Sequence, residues 1–211
     1  IERASKKLLE GMQSMLEYSS MEQREIQLSH EKIYLPRLWR RVVEFGEKKT
    51  KGKGLRFDWS IPHDLKGAVK GDELRLEQVC CCLIDNAAKF TRAGKVGLEV
   101  LYHFIEEKKL EIEIRVSDTG DGISVEKEKQ LFKPFSLVDI SYEPRKRGFG
   151  MGLALSKKII SAMGGRIQLE SSGKNGSVFS CRVSLEFSKK AITPLDLVDI
   201  EAGKEIKNVL I

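Results

Sequence analysis

The turn at residues 118–123, Asp-Thr-Gly-Asp-Gly-Ile, combines a carboxylate with two glycines and is a candidate ligand site. It follows residues 110–117, in which apolar and polar side chains alternate with the period of a half-buried strand. The strand would present the Asp118 carboxylate at its end. Gly120 and Gly122 lack a Cβ and would let a ligand lie close to the backbone. The same pattern ends many simple hairpins, so the turn alone leaves a ligand site and a plain hairpin turn both open.

A second candidate is the glycine-rich segment 148–152, Gly-Phe-Gly-Met-Gly, which opens a predicted helix ending near Met163. Free backbone N–H groups at a helix start favour bound phosphate. The segment is not a Walker A loop, because no Gly-Lys-Ser/Thr follows, and not a dinucleotide fingerprint, because no strand leads directly into it. A flexible entry to the helix is the alternative interpretation. Residues 136–147 before it form an irregular stretch of a length that is usually functional in a compact domain.

A third set of polar side chains lies on a predicted helix capped by Asp72 and ended by Gly94. Cys82, Asn86 and Lys89 are spaced i, i+4 and i+7, so they share one face of this helix. The adjoining face is predicted to be buried. It consists of Leu76, Cys80, Leu83, Ala87 and Phe90.

The remaining elements must position these groups. Residues 1–24 have apolar side chains at helical spacing, and this helix either packs in the same domain or belongs to a helical hairpin or bundle. Residues 28–35 form a short stretch of mixed character. A helix is predicted to begin at Pro36, and a second, short helix is predicted at 124–131. These elements predict an α/β sandwich with a mixed, mostly antiparallel sheet and helices on one face. Alternating patterns predict strands at 55–61, 96–103, 110–117, 166–171 and 177–187, the second and third joined as an antiparallel hairpin.

Composition restricts the class of protein. The chain has 211 residues, 41% of them hydrophobic, enough for one or two domains with a core. Its charge of +6 comes from 37 basic and 31 acidic residues mixed along the sequence, which does not indicate a nucleic-acid-binding face. No apolar run approaches the roughly 20 residues that cross a bilayer. Three of the four cysteines are consecutive at 80–82, which suggests neither disulfides nor a zinc site and fits a reducing cytoplasm.

Four short segments follow one another along the chain: 86–91 (Asn-Ala-Ala-Lys-Phe-Thr), 118–123, 131–135 (Leu-Phe-Lys-Pro-Phe) and 148–153 (Gly-Phe-Gly-Met-Gly-Leu). Together they closely resemble the N, G1, F and G2 boxes of the catalytic, ATP-binding domain of sensor histidine kinases. The wider superfamily includes gyrase, Hsp90 and MutL ATPases. The resemblance covers residues 33–187 and implies a Bergerat-type ATP-binding fold. In the same resemblance, residues 1–24 are similar to the second helix of a dimerisation and phosphotransfer hairpin. Residues 188–211 are then interpreted as a linker.

The resemblance implies a role for each matching residue. Asp118 would accept a hydrogen bond from the adenine amino group and so favour adenine over guanine, which carries an oxygen there. Asn86 would bind Mg²⁺ through its amide oxygen, and Lys89 would reach the phosphates. Residues 135–148 would form a lid over ATP. The implied nucleotide-binding positions are Asn86, Lys89, Phe90, Asp118, Gly120, Gly122, Ile123, Phe135, Arg147, Gly148, Gly150, Met151, Gly152, Leu153 and Ser177, with Asn86 as the metal ligand.

Two residues depart from the family pattern at its metal and phosphate end. Cys82 stands where a second asparagine is usual, and a thiol is a poor Mg²⁺ ligand. Phe149 replaces a small hydroxyl residue. The adenine end is intact, so nucleotide binding is expected to survive more surely than turnover. No residue matches the phosphate-accepting histidine of the family. His30 lies after the presumed hairpin helix and is interpreted as a structural or surface residue.

The expected function is to bind Mg·ATP and to transfer the γ-phosphate to a histidine outside this chain, within a dimer. A degenerate module that binds nucleotide, or nothing, and acts as a regulatory scaffold is the alternative. An ATPase switch of the gyrase and Hsp90 type is a third hypothesis, disfavoured because the general-base glutamate of those enzymes would fall at Cys82. Residues 207–211 resemble the first strand of a response-regulator receiver domain. This implies a hybrid kinase, located in the cytoplasm or on the cytoplasmic side of a membrane.

Overall fold

The structure, a computed structural model, describes residues 9, 12–13, 15–20, 26–62, 65, 67–136 and 150–189. Residues 15–20 are helical and precede the elements that follow. The helices are α1 (Leu35–Lys51), α2 (Glu73–Phe90), α3 (Val125–Glu128) and α4 (Gly152–Ala162). The strands are β1 (Glu31–Ile33), β2 (Arg56–Ser60), β3 (Ala68–Gly71), β4 (Lys95–Glu106), β5 (Lys109–Asp118), β6 (Arg166–Gly173) and β7 (Gly176–Ser188).

These seven strands form one sheet, in the order β1-β3-β7-β5-β4-β2, with β6 also paired to β7. β2 is parallel to β4, and the other described pairings are antiparallel. In the β4–β5 hairpin, Val96 lies opposite Asp118, which confirms the antiparallel pair predicted from alternation. The predicted mixed, mostly antiparallel sheet is therefore confirmed.

Helices α1, α2 and α4 share one hydrophobic core with the sheet. The Asp72 carboxylate accepts a hydrogen bond from the Arg75 N–H at 3.0 Å, which confirms the predicted N-cap of α2. Every second side chain of β5 points into this core, as expected for a sheet covered by helices on one face. The fully buried core side chains include Leu38 of α1, Leu76 and Leu83 of α2, Ile159 and Ile160 of α4, and Leu110, Ile112 and Ile114 of β5.

The opposite face of the sheet is charged. Glu113 of β5 has a side chain only 4% exposed, and its Oε1 lies 3.0 Å from both Arg115 Nε and an Arg182 terminal nitrogen. Burial raises the pKa of the Glu113 carboxyl, but the two guanidinium groups outweigh burial and hold the pKa below its ordinary value. The polar half of the alternating pattern in β5 is thus an ion-pair network rather than a second core.

Two strands were not predicted, and one side-chain expectation is wrong. Residues 28–35, described from the sequence only as short and mixed, contain β1, and β3 was not predicted at all. With 3 and 4 residues, these strands hold too few positions for alternation to be visible. Phe90, expected on the buried stripe of α2, is 39% exposed because it ends the helix beyond the packed positions.

Some expectations fall partly or wholly outside the described residues. The predicted helix at 1–24 is described only at residues 9, 12–13 and 15–20, all of which are helical. The predicted linker lies outside the described residues from 190 onward, and so does the receiver-like strand at 207–211.

Candidate functional site

Asp118 is the last residue of β5, so strand pairing fixes its backbone. Its Oδ1 accepts a hydrogen bond from the Gly120 N–H at 2.7 Å, and the carboxylate also accepts from the Ser177 N–H. Burial raises the pKa of this carboxyl above the ordinary value of 3.8, and the two N–H donors partly oppose that shift. A carboxylate has more acceptor positions than these two bonds use. The site therefore offers a partly desolvated acceptor to a ligand donor.

The β6–β7 hairpin holds the turn through contacts that require glycine. Gly122 has φ +71°, and a Cβ placed on it would lie 2.0 Å from the Gly173 carbonyl oxygen. Gly176 has φ +115°, and its Cβ would lie 1.8 Å from the Asp118 carbonyl oxygen. Positive φ and these backbone approaches both exclude a side chain. The tip of the hairpin and the aspartate turn are thus packed backbone to backbone.

Hydroxyl groups fix both ends of the same turn. The Ile123 N–H donates to Ser172 Oγ at 2.7 Å, and Ser172 Oγ lies 3.1 Å from Ser177 Oγ. At the other end, the Lys95 N–H donates to Thr119 Oγ1 at 2.9 Å. The predicted site residues Ile123 and Ser177 are therefore brought to Asp118. Sequence analysis missed Ser172, because a hydroxyl residue near a turn has no periodic signal.

The end of α2 lies against the aspartate turn. A Cβ on Gly120 would lie 2.6 Å from the Phe90 carbonyl oxygen, so the absence of a side chain allows this contact. The exposed Phe90 ring has Lys89 Nζ 4.8 Å from its centroid. The structure therefore brings together two segments that are separate in sequence, 86–91 and 118–123.

Lys53, which no sequence pattern singled out, supports the end of α2. Its Nζ donates to the carbonyl oxygens of Ala88 at 2.5 Å, Lys89 at 3.1 Å and Thr91 at 3.4 Å. The last carbonyls of a helix lack intrahelical partners and carry the negative end of the helix dipole, so a cation stabilises them. A lysine in the loop before β2 could have been recognised only with the fold known.

Cys82 and Asn86 meet the start of α4. A Cβ on Gly152 would lie 2.8 Å from Cys82 Sγ, so this glycine lets α4 approach α2 closely. Asn86 Nδ2 lies 3.7 Å from Cys82 Sγ. Burial raises the pKa of the Cys82 thiol to about 11, although a hydrogen bond with Ser156 opposes the shift. The thiol is thus protonated at neutral pH and packs between the helices, while the Asn86 amide oxygen is a suitable hard ligand for Mg²⁺.

The start of the predicted lid at Phe135 is described, and it lies against Gly150, two residues beyond the predicted end of the lid at Gly148. Gly150 has φ +68°, and a Cβ on it would lie 3.0 Å from the Phe135 carbonyl carbon and from Ser136 backbone atoms. Phe135 has φ 59°, the left-handed region that non-glycine residues rarely adopt. Residues 137–149 lie outside the described part of the chain, so the phosphate contacts expected of Arg147 and Gly148 stay predictions.

Met151 and Leu153 flank the first residue of α4, and their side chains face the protein. Met151 is buried, and Leu153 packs against the hydrophobic core. Sequence analysis placed both among the ligand-binding positions. In the structure any ligand contact from this segment would come from backbone N–H groups at the helix start, not from these side chains.

The described residues contain no group of three or more His, Cys, Asp or Glu side chains that could hold a metal ion. A hard cation here would therefore depend on the Asn86 amide together with oxygens supplied by its ligand, an arrangement that suits Mg²⁺. None of the described helices is long and apolar enough to cross a membrane.

Comparisons with known proteins found both a matching protein family and individual proteins of similar sequence. A family model described as histidine kinase-, DNA gyrase B-, and HSP90-like ATPase matches residues 71–187, more than half of the chain. Signal transduction histidine-protein kinase BarA of Escherichia coli (strain K12) is 31% identical over 209 residues, 99% of this chain and 23% of BarA. Sensor protein GacS of Pseudomonas syringae pv. syringae is 32% identical over 203 residues, 96% of this chain and 22% of GacS. The chain thus spans less than a quarter of the length of these curated relatives.

Among solved structures, full-length ShkA in complex with AMPPNP is similar to this chain with a TM-score of 0.73 and 27% sequence identity. The match covers 90% of this chain and 38% of ShkA. The likeness therefore extends over nearly all of the present chain and over less than half of a larger protein.

Proposed function

The chain belongs to the family of histidine kinase-, DNA gyrase B- and HSP90-like ATPases, and from that premise we propose that it binds Mg·ATP and transfers the γ-phosphate to a histidine outside the chain. The observation that carries this proposal is the placement of Asp118. A partly buried carboxylate at a strand end is held by backbone N–H groups and lies beside the segment that carries Asn86 and Lys89.

Adenine recognition follows from the charge and position of Asp118. Its carboxylate accepts a hydrogen bond from the exocyclic amino group of adenine. Guanine presents an oxygen at that position, which the carboxylate would repel. Gly120 lets the base approach the backbone, because it has no Cβ, and the exposed Phe90 ring supplies an apolar surface nearby.

The phosphate end is formed by the N-terminal part of α4 and by α2. Backbone N–H groups from Gly150 to Gly152 bind the triphosphate, and Lys89 adds a positive charge. Asn86 would hold Mg²⁺, and a bound Mg²⁺ would supply positive charge that offsets the charge of the phosphates. Phosphoryl transfer depends mainly on positioning and charge neutralisation, so these binding groups are also the catalytic equipment. Arg147 and Gly148 complete this end of the site in the proposal.

The helical residues before the domain support a proposed partner. Glu17 forms an ion pair with Arg75 and accepts a hydrogen bond from Gln78 Nε2 at 3.1 Å, and Lys158 Nζ lies 4.4 Å from the Tyr18 ring centroid. We propose that the apolar side of this helix faces the histidine-bearing hairpin of the same or a second protomer, in a homodimer. That side consists of Leu9, Met12, Met15 and Leu16, each more than half exposed.

The proposal extends to the parent protein. The run at 207–211 supports a receiver domain after this chain, which would accept the phosphate from the histidine in a hybrid kinase. A cytoplasmic location, where ATP and a reducing environment are both present, belongs to the same proposal.

Calorimetric titration with ADP and a non-hydrolysable ATP analogue, with and without Mg²⁺, tests the site. Asp118→Ala should weaken binding about 10- to 100-fold, because a hydrogen bond to a charged group is worth about 1.5–3 kcal/mol. Asp121→Ala is the matched control, since that side chain lies in the same turn but is 74% exposed. Equal affinity of wild type and Asp118→Ala would reject the adenine pocket. Radiolabel from γ-labelled ATP should then appear on a separately supplied histidine-bearing hairpin.

A further inference from the structure

A groove of about 600 Å³ opens at the end of the sheet remote from Asp118. Its apolar walls include Pro62, Leu65, Phe104 and Phe187. The groove forms because β2 pairs with β4 only as far as Glu99, so the next part of β4 has one side without a pairing strand among the described residues. Such an unpaired strand side beside an apolar concavity is a surface onto which an extended segment can dock.

The walls of the groove are held by contacts within the protein but are incompletely covered. The Phe104 ring meets the Phe187 ring edge-on, with 5.0 Å between centroids, yet Phe104 remains 54% exposed. Tyr102 is fixed from behind, because its hydroxyl accepts a hydrogen bond from Trp39 Nε1 at 2.6 Å. Ile105, next along β4, is 51% exposed but does not line the groove. A large apolar side chain exposed on the wall of an apolar concavity marks a candidate interaction site.

The groove is separate from the proposed nucleotide site. Tyr102 lies opposite Ile112, and Phe104 lies opposite Leu110, so the groove is six to eight residues along β5 from Asp118. At about 3.3 Å per residue, that separation is roughly 20–26 Å. The groove therefore needs an occupant other than ATP.

We propose that residues 191–197 of this chain occupy the groove. β7 ends at Ser188, and the next residue, Lys189, itself lines the groove, so the chain leaves the sheet at this point. The segment that follows reads Ala-Ile-Thr-Pro-Leu-Asp-Leu and carries three large aliphatic side chains, Ile192, Leu195 and Leu197. Burying them against the exposed groove removes apolar surface from water on both sides.

The distances permit this docking. β5 and β4 both lie between β7 and the unpaired side of β4, so the segment must cross three strand spacings, about 14 Å, to lie along that side. About four to five extended residues span that distance, so Ile192 lies on the way across and Leu195 reaches the unpaired side. A tether this short gives an effective concentration in the millimolar range, so even a weak apolar contact is occupied. A second copy of the chain has no such advantage, which favours the chain's own segment as the occupant.

Docking would fix where the rest of the parent polypeptide leaves the domain. Whatever follows residue 197 would start at the end of the sheet opposite Asp118, away from the nucleotide. The proposal is independent of ATP binding, so ADP affinity serves as a control for a folded domain.

The test compares hydrogen exchange of the backbone amides at 101–104 in the 211-residue chain and in a double variant, Ile192→Asp with Leu195→Asp. Loss of docking should speed exchange at least 10-fold and increase the fluorescence of an added apolar dye. The matched control is Val198→Asp with Ile200→Asp, which changes the same tail by the same charge outside the docked segment and should leave exchange unchanged. ADP affinity should be the same in all three proteins.

A reciprocal change on the groove separates docking from effects within the tail. Phe104→Asp should reproduce the faster exchange at 101–103, whereas Val125→Asp, at an exposed position elsewhere, should not. The proposal is overturned if the Ile192→Asp, Leu195→Asp variant exchanges like the wild type. It is also overturned if protection rises with protein concentration, because a second copy would then be the occupant.

Discussion

A side chain in the site can favour ligand binding and lower the stability of the fold. For Asp118, the direction of the effect on stability can be measured. Its pKa is raised by burial, so the ionised carboxylate is less favourable in the folded chain than in the unfolded chain. The penalty is absent below the ordinary pKa of 3.8 and appears as pH rises through the raised folded pKa. Asparagine keeps an oxygen that can accept from the Gly120 N–H without the charge.

We therefore predict that Asp118→Asn raises the free energy of unfolding at pH 7 while it weakens ADP binding. Urea unfolding at a series of pH values measures the first effect. The free energies of unfolding of wild type and Asp118→Asn should become equal in acid. A variant less stable than wild type at pH 7 would mean that the hydrogen bonds to the carboxylate outweigh its burial cost.

Cys82 is a second residue whose side chain suits packing but not the proposed binding of Mg²⁺. The position lies beside Asn86, the proposed metal ligand, but its thiol is protonated and packed against Gly152. We predict that Cys82→Asn increases the Mg²⁺-dependent part of the affinity for an ATP analogue, and leaves the affinity for ADP without Mg²⁺ unchanged. The larger amide should cost about 1–3 kcal/mol of stability, because it adds atoms to a packed contact. Unchanged Mg²⁺ dependence and unchanged phosphotransfer would show that the missing asparagine does not impair the kinase.

At the scale of elements, the site depends on how the β6–β7 hairpin meets the end of β5. Gly122 and Gly54 have nearly the same φ, +71° and +68°, but only Gly122 has a neighbour within 4 Å of the Cβ position. Gly54→Ala should therefore lose about 1 kcal/mol, the cost of the left-handed conformation alone. Gly122→Ala should lose about 1–3 kcal/mol more, because its methyl group meets the Gly173 carbonyl. Thermal unfolding and ADP titration check both effects, and equal losses in the two variants would refute the backbone contact.

Element prediction from the sequence succeeds where a pattern is long and fails where it is short. Alternation runs over 96–103 in β4 and over 110–117 in β5, and Asp72 marks the start of α2, so all three elements were predicted. β3 has 4 residues, and its partner β7 is more than 100 residues away in sequence, so no local signal exists. The boxes indicated Asp118 and Asn86 as candidate site residues for the same reason, because each box is a local run with a recognisable order.

The contacts between those runs could not be predicted from the sequence. Gly122 meets Gly173, Gly120 meets Phe90, and Lys53 caps α2, and each contact depends on the three-dimensional path of the chain. Glycines in a turn look alike in sequence whether they face solvent or a neighbouring backbone. The structure distinguishes them by what a Cβ would touch.

At the scale of the whole molecule, the charged face of the sheet and the Asp118 carboxylate should respond oppositely to pH. One face is packed under the helices, and the other depends on Glu113 paired with Arg115 and Arg182. The pKa of Glu113 is lowered, so its stabilising effect is present above the ordinary pKa of 4.5 and is lost as pH falls through the lower folded value. The charged face should therefore contribute to acid unfolding, in contrast to Asp118.

We predict that Glu113→Gln lowers the free energy of unfolding at pH 7 by about 1–2 kcal/mol, a value discounted because both arginines are partly exposed. The difference from wild type should shrink below pH 4.5, and ADP affinity should not change. Glu111→Gln, on the same strand and face, is the control. Urea unfolding at pH 7 and pH 3.5 checks the prediction, and a constant difference at both values would contradict it.

The position of β7 has a consequence for how the protein is made. β7 pairs with β3, β5 and β6, yet it is the last of the described strands in chain order. At synthesis rates of about 5–20 residues per second, a ribosome that has finished β5 needs roughly 4–14 s to finish β7. During that interval the nascent chain carries a long strand whose central partner does not yet exist, and such edges attract other chains. Chaperones are therefore expected to engage this polypeptide until β7 has left the ribosome, after which the sheet can close.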